Sequence, residues 1–511
     1  MEDENRVGGT TALPEAVDIL VVGAGFGGLA AVHRLRREHP GLSLHVIDRG
    51  PTAGGVWRDN TYPGCACDVP TALYSLSFAD NPGWSHSYGR QPEIRDYLEG
   101  VAGAIGGPTT YDCALTGARW DPGRSVWVVR TDHGSVECRF LVLATGTLST
   151  PELPDVPGLD RFRGHVFHSA SWDHDRDLTG RRVAAIGTGA SAIQFVPEIV
   201  DRVAHLTVFQ RTPAWVIPRV DRVISASERR LYRRIPFAHK LMRALIYAYR
   251  EVYVVLMALR PGLLPIAAAM GRLHLRRQVR DPGLRRRLTP TFTIGCKRML
   301  LSNAWFPALQ RPNVELVGGL RELTESGAVD DDGTEHEVDT VIFGTGFTPT
   351  EPPVARLVVG RDGRTLAARW DGSPSAYRGV SVSGFPNMFL MYGPNTNLGH
   401  SSIVLMLEAQ AGYLSRMLDH LHCHGYGEAD VRIAAEKRYR DEVDTRLRGT
   451  VWNIGGCSSW YIDSAGRNSV MWPTFTWRYK QMMGEFNPAA YDFDSAPDVD
   501  RPAHDRLERT G

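Results

Sequence analysis

Two glycine turns, each set between an apolar strand and a helix, constrain this chain more than any other feature. The first is Gly23-Ala24-Gly25-Phe26-Gly27-Gly28, preceded by the β-branched run Val17 to Val22 and followed by helical spacing through Arg37. Gly23 permits the tight turn, Gly25 lets the backbone approach a pyrophosphate, and Gly28 lets the helix pack close to the sheet. Amides at the helix N-terminus then face the phosphates. The next strand, Leu42 to Ile47, ends in Asp48, where a carboxylate binds ribose hydroxyls and repels a 2′-phosphate. This unit suits FAD or NAD.

The second turn is Gly187-Thr188-Gly189-Ala190-Ser191-Ala192, after the strand Val183 to Ile186. Its following strand, Leu206 to Phe209, continues as Gln210-Arg211-Thr212 with no acid. Arg211 stands where Asp48 stands in the first unit, and a guanidinium there pairs with a 2′-phosphate. This unit suits NADPH. A chain with both units holds FAD and NADPH together and passes electrons from the second site to the first.

The rest of the pattern predicts an α/β architecture of two Rossmann-like dinucleotide-binding domains with a helical insertion. Buried strands Leu141 to Leu143 and Val338 to Phe343 close on Ala144-Thr145-Gly146 and Gly344-Thr345-Gly346. Residues 17–150 with 335–490 are expected to form a discontinuous FAD domain, and 151–334 the NADPH domain. Within the latter, 225–288 is Leu/Ala/Arg-rich with helical spacing, broken at Pro236, Pro261, Pro265 and Pro282. An amphipathic helix is expected from about Ser402 to His420. Residues 1–16 and 491–511 read as disordered tails.

Composition narrows the partners. Net charge is +1, so no global field favours nucleic acid. No stretch reaches the roughly 20 apolar residues of a membrane span; the best run, Val252 to Leu259, is bounded by Arg250, Glu251 and Arg260. Peripheral membrane contact through the Arg-rich segment 228–290 stays open. Seven scattered cysteines and an acidic, polar start point to a reducing cytoplasm and unpaired thiols. Cys65 and Cys67 form a C-x-C rather than a redox C-x-x-C, and no metal site is expected.

Phe162 to Asp173, FRGHVFHSASWD, fits the fingerprint F-x-G-x-x-x-H-x-x-x-W-[P/D] at Phe162, Gly164, His168, Trp172 and Asp173. By this stretch the chain resembles the type I Baeyer–Villiger monooxygenases, within the class B flavin monooxygenases, over about residues 17–485. Gly54-Gly55-Val56-Trp57, Tyr62 to Asp68, and Ile294 to Arg298 resemble further family motifs. Tyr392 to His400 and Gly456-Cys457 with Trp460-Tyr461 resemble the compact branch that includes 4-hydroxyacetophenone monooxygenase. Ser458, where that branch commonly has Lys, and Thr474, where Gly is usual, depart from it and leave substrate preference open.

The resemblance implies that NADPH reduces FAD, O₂ adds, and a peroxyflavin attacks a ketone to give an ester or lactone. It implies Arg298 as the fixed cation beside that anion and Asp68 as the group that orients it. Lys297, one of only four lysines, joins Arg211 and Thr212 at the NADPH phosphate. Gly55, Val56, Trp57, Asp68, Tyr74, Asn397 and Leu398 are expected to contact FAD. The helix after Asn397 would present its N-terminal dipole to the flavin. His168 and Trp172, on an expected interdomain linker, would couple NADPH position to domain closure. Oxidation of sulfur or nitrogen, or a non-catalytic flavoprotein module, remain alternatives at this point. The ketone and the oligomeric state are not read from sequence.

Overall fold

A computed structural model of the protein describes residues 11–151 and 153–495. The first glycine turn joins strand Ala16–Val22 to helix Phe26–Glu38, and strand Leu44–Ile47 follows. Ala16–Val22 is central and pairs in parallel with Leu44–Ile47 on one side and Gly134–Leu143 on the other. Its last four residues are buried, because a parallel strand between two neighbours faces packed side chains on both sides. Gly134–Leu143 changes partners along its length. Its start pairs antiparallel with Val126–Thr131, and its end pairs in parallel with Met388–Leu390. Distant parts of the chain therefore meet at Ala144. Helix Ile403–His424 packs against Phe26–Glu38 over this sheet.

The second sheet is parallel throughout, in the order Val314–Val317, His205–Phe209, Arg182–Ile186, Thr340–Phe343, His165–His168. This moves a boundary. Thr340–Phe343, expected in the first domain, lies wholly buried between Arg182–Ile186 and the fingerprint strand His165–His168. Its run of apolar side chains is satisfied only with strands on both edges, so the chain leaves the second domain after Phe343. Within the fingerprint, His165–His168 is the edge strand of this sheet, and Trp172 and Asp173 follow it after a short turn.

The insertion is helical, as Ala226–Arg234, Pro236–Val254, Leu264–Gln278 and Pro282–Arg287. Pro236, Pro265 and Pro282 each open a helix in its first turn, where a missing N–H costs nothing, rather than breaking one.

Three expectations need correction. Residues 11–16 are fastened: the Thr11 amide donates to the Thr109 carbonyl at 2.8 Å, and the sheet strand already begins at Ala16. At the other end, Tyr491–Ser495 pairs antiparallel with Tyr426–Val431. The remaining tail calls, 1–10 and 496–511, lie outside the described residues. Cys296 and Cys457 form a disulfide, so the reading of all seven thiols as unpaired does not hold. Spacing could not show it, because 161 positions separate the pair and only the folded chain brings them together.

Candidate active site

Each glycine turn shows the geometry its residues demand. Gly23 has φ +109°, and a Cβ there would stand 2.5 Å from the Ala144 carbonyl oxygen. At Gly28 a Cβ would fall 1.8 Å from the Gly23 oxygen, so the helix can start against its own turn only without a side chain. Gly25 differs: a Cβ would meet only Gly55 Cα, at 3.7 Å. Gly189 repeats this in the second turn, with only the Gly344 oxygen at 3.7 Å. Both open glycines line one cavity of about 1120 Å³. The open cradles and the size of the cavity fit two dinucleotides, whose phosphates need bare backbone at these points.

Of the expected cofactor residues, Gly23, Gly25, Asp48, Gly55, Val56, Trp57, Asp68, Tyr74, Asn397 and Leu398 line this cavity beside the first turn. Around the second turn it is lined by Gly187, Thr188, Gly189, Ala190, Ser191, Arg211, Thr212, Lys297 and Arg298. Gly28 and Ala192 stand behind the wall as packing residues, and Ala192 is fully buried.

Asp48 does more than end a strand. One carboxylate oxygen accepts from the Ala24 amide at 2.7 Å, and the other accepts from the Gly50 amide and from Arg58. Burial works against the Arg58 charge, but Asp48 and Asp59 beside it hold its pKa above the ordinary value. Sequence reading did not single out Arg58, whose only signal is its position directly after Trp57. Trp57 donates its indole N–H to the Tyr74 hydroxyl at 2.9 Å, and the two rings meet edge-on. Asn397 accepts from the Tyr392 hydroxyl at 3.0 Å. Ser402 caps helix Ile403–His424 by accepting from the Val404 amide, and Ser401 and Ile403 reach the cavity wall. The positive end of that helix dipole therefore faces the cavity.

Arg298 and Asp68 meet in the same space, 230 positions apart in sequence, through a two-pronged ion pair. One prong is Arg298 Nε to Asp68 Oδ2; in the other, Arg298 Nη2 donates to Asp68 Oδ1 at 2.6 Å. Side-chain exposures of 34% and 27% show that the pair faces the cavity rather than the core. The Asp68 charge raises the Arg298 pKa further above its already high value, so Arg298 keeps its proton. Burial alone would raise the Asp68 carboxyl, but the Arg298 charge wins and holds it below the usual carboxylate range. Tyr461, buried and near Arg298, has its phenol pushed up to about 12 by burial against the opposing Arg298 charge. It is therefore neutral at ordinary pH. The motif reading flagged Tyr461 but gave it no role.

Burial, and then the charge of Arg211, lower the Lys297 pKa. Two cations drawn together at the end of the second unit are what a dianionic 2′-phosphate would neutralise. In the fingerprint, Phe162 is buried in the apolar cluster beneath the second sheet, and a Cβ at Gly164 would press the Phe162 ring and the Asp339 oxygen. Burial holds His168 below its ordinary pKa, and its ring lies edge-on to Phe347, just past Gly344-Thr345-Gly346. Trp172 packs on Phe167 and on Phe195 of the second-turn helix. Asp173 pairs with His165 at 2.7 Å.

Residues 17–235 match the family model described as pyridine nucleotide-disulphide oxidoreductase. The chain is 48% identical to a Baeyer–Villiger monooxygenase of Streptomyces coelicolor, over 93% of this chain and 92% of that one. With a Baeyer–Villiger monooxygenase of Pseudomonas aeruginosa the identity is 42%, over 96% and 93%. Among solved structures, a closed form of cyclohexanone monooxygenase superposes with a TM-score of 0.84 at 28% identity, covering 95% of this chain and all of that one. An oxidised steroid monooxygenase bound to NADP gives 0.83 at 30% identity, over 94% of this chain and all of that one.

Proposed function

From the premise that this chain belongs to the Baeyer–Villiger monooxygenase family, we propose how its own side chains divide the work of the reaction. The protein is a FAD- and NADPH-dependent monooxygenase that converts a small-molecule ketone to an ester or lactone with O₂. FAD, when bound, supplies the activation of O₂, and NADPH supplies the reducing electrons.

Gly23, Gly25, Gly55 and Asp48 would hold the FAD phosphates and ribose, with Arg58 fixing the Asp48 carboxylate. Val56, Trp57, Tyr74, Asn397 and Leu398, with the amide end of Ile403–His424, would enclose the ring. Gly187 to Ala192 would cradle the NADPH pyrophosphate, with Arg211, Thr212 and Lys297 at its 2′-phosphate. Arg298 is the catalytic cation. Asp68 keeps it protonated, so it would stabilise negative charge on oxygen beside the ketone carbonyl. Asp68 is a positioning residue that keeps the guanidinium turned into the cavity. The packing of His168 and Trp172 against Phe347 and Phe195 would transmit NADPH seating to the junction between domains.

The observation that carries these roles is the Arg298–Asp68 pair facing the one cavity that both glycine turns line. The test reduces the FAD-loaded protein with NADPH without air, then adds O₂ with ketones or sulfides. Ester or lactone is expected from a ketone; sulfoxide alone would favour heteroatom oxidation instead. Arg298→Ala should keep FAD and lose ester formation by about 100-fold. Persisting ester formation would remove Arg298 from its role.

A further inference from the structure

Helix Pro236–Val254 packs Ile246, Tyr247, Tyr253 and Val254 inward, yet carries a second apolar set that nothing covers. Its large apolar side chains Phe237, Leu241, Leu245, Tyr249 and Val252 recur at helical spacing along one stripe, and all of them are exposed, Phe237 at 71%. Its polar groups face the protein instead. His239 pairs with Asp80 at 2.7 Å, Arg243 donates to the Ala72 carbonyl at 2.7 Å, and Glu251 accepts from the Thr476 amide.

The stripe continues into helix Leu264–Gln278 through Ile266, Met270 and Leu273. Of the twenty exposed large apolar side chains among the described residues, thirteen lie within 231–273, so the exposure is one patch rather than scatter. Residues 226–287 also carry fifteen Lys and Arg against three Asp and Glu. With the whole chain at +1, this segment is +12 and the remainder −11. Glu251 and Arg243 both face the protein, so their charges cancel out of the outward balance.

We infer that the outward face of this insertion, an apolar stripe rimmed by arginines, docks on the surface of an anionic lipid bilayer. Apolar side chains that enter the acyl boundary, with basic groups level with the headgroups, are the two elements of interfacial binding. Among the described residues no single helix is long and apolar enough to cross a membrane, and the helical stretches Pro236–Leu259 and Pro261–Gln278 meet at a bend of 105°, which suits lying on a surface. A second copy of the chain would bring two segments of net charge +12 together. Nucleic acid would match the charge but leave the apolar stripe in water.

The test incubates the FAD-loaded full chain with sedimentable vesicles of phosphatidylcholine and phosphatidylglycerol in equal parts, and with pure phosphatidylcholine. Co-sedimentation with the mixed vesicles is expected, falling at least about tenfold on neutral vesicles and again when salt rises from about 0.1 M to about 1 M. F237E/L245E should lose binding at least about tenfold while keeping its flavin and melting temperature, and R233E/R234E should weaken it severalfold. Failure to bind the mixed vesicles, equal binding to neutral ones, or binding indifferent to F237E/L245E would overturn the inference. So would a dimer, seen by light scattering, that F237E/L245E dissociates without any capture by vesicles, or retention of duplex DNA in place of vesicles.

Discussion

Alanine at Gly25 and alanine at Gly28 should fail for opposite reasons. At Gly28 the new Cβ would lie 1.8 Å from the Gly23 oxygen, so helix and turn must part by about 1.6 Å to reach ordinary contact at 3.4 Å. Overpacking of well-fitted sites costs about 1–3 kcal/mol, and a backbone-to-backbone clash with no side chain to yield belongs at the top of that range or above. Gly25 has an extended backbone, φ −87° and ψ −168°, open to any residue, and the nearest atom to its new Cβ is 3.7 Å away. Without cofactor, Gly25→Ala should then be neutral or stabilising by about 0.4–1 kcal/mol, because it restricts the unfolded chain. Its cost appears only with FAD, since the methyl occupies the approach of the pyrophosphate. A tenfold loss of affinity there corresponds to about 1.4 kcal/mol. Thermal melts of flavin-free protein, repeated with added FAD, separate the two. Gly28→Ala should melt several degrees low in both; Gly25→Ala should melt normally alone and gain little from FAD. Wild-type FAD stabilisation of Gly25→Ala, or a wild-type melt for flavin-free Gly28→Ala, would refute the assignment of these two glycines.

Arg211→Ala should raise KM for NADPH at least about tenfold and leave KM for NADH nearly unchanged, since only the phosphate ester meets the guanidinium; equal effects on both would place Arg211 elsewhere. Arg58→Ala leaves the 6%-exposed Asp48 side chain without its cation, so a loss of about 3 kcal/mol is expected, with weakened FAD binding and partial recovery in Arg58→Lys. A denaturant titration that matches wild type would refute this. Burial raises the Asp430 carboxyl to about 6. The folded protein therefore binds a proton there that the unfolded chain, titrating near ~4, has already lost, and stability falls as pH rises through that window. Asp430→Asn can still accept from the Gly384 amide at 2.9 Å. It should melt above wild type at pH 7 and converge with it near pH 4; parallel curves would refute the shift.

The glycine turns were legible because their chemistry is local. Three glycines, a strand before and a helix after, and the charge at the end of the next strand all sit within one βαβ unit. Arg298 and Asp68 were reachable only through motif resemblance, since no local pattern tells one Arg among many to find an Asp 230 positions away. Thr340–Phe343 was misassigned for a related reason. A buried strand reads the same in either sheet, and its partners Arg182–Ile186 and His165–His168 are fixed only by long-range pairing. The Cys296–Cys457 bridge, the Arg58 clamp on Asp48 and the Tyr461 phenol beside Arg298 are likewise encounters between separated segments. Spacing marked the insertion as helical, yet period alone does not say which face meets the protein. That became visible only when His239, Arg243 and Glu251 were found pointing inward.

The motif Tyr62 to Asp68 shows how the two halves are tied into one site. Its Tyr62 hydroxyl donates to Gln194 Oε1 at 3.0 Å, the Ala66 amide donates to the same oxygen, and Gln194 Nε2 returns a bond to the Ala66 carbonyl. Gln194 belongs to the helix that opens at the second glycine turn. Gly64, at φ +77°, lies where a Cβ would press the Gln194 carbonyl at 2.8 Å, so the tight approach is written into the Y-P-G sequence itself. Two residues past this seam stands Asp68, gripping Arg298 from the other half of the chain. Two residues before Arg298, Cys296 is bonded to Cys457, which directly precedes the cavity-lining run Ser458, Ser459 and Trp460. The Arg298 guanidinium is thus held by an ion pair that crosses between distant chain regions. A shift of the second glycine-turn helix against the Tyr62 to Asp68 segment would therefore either carry the Asp68–Arg298 pair with it or break the Gln194 bonds.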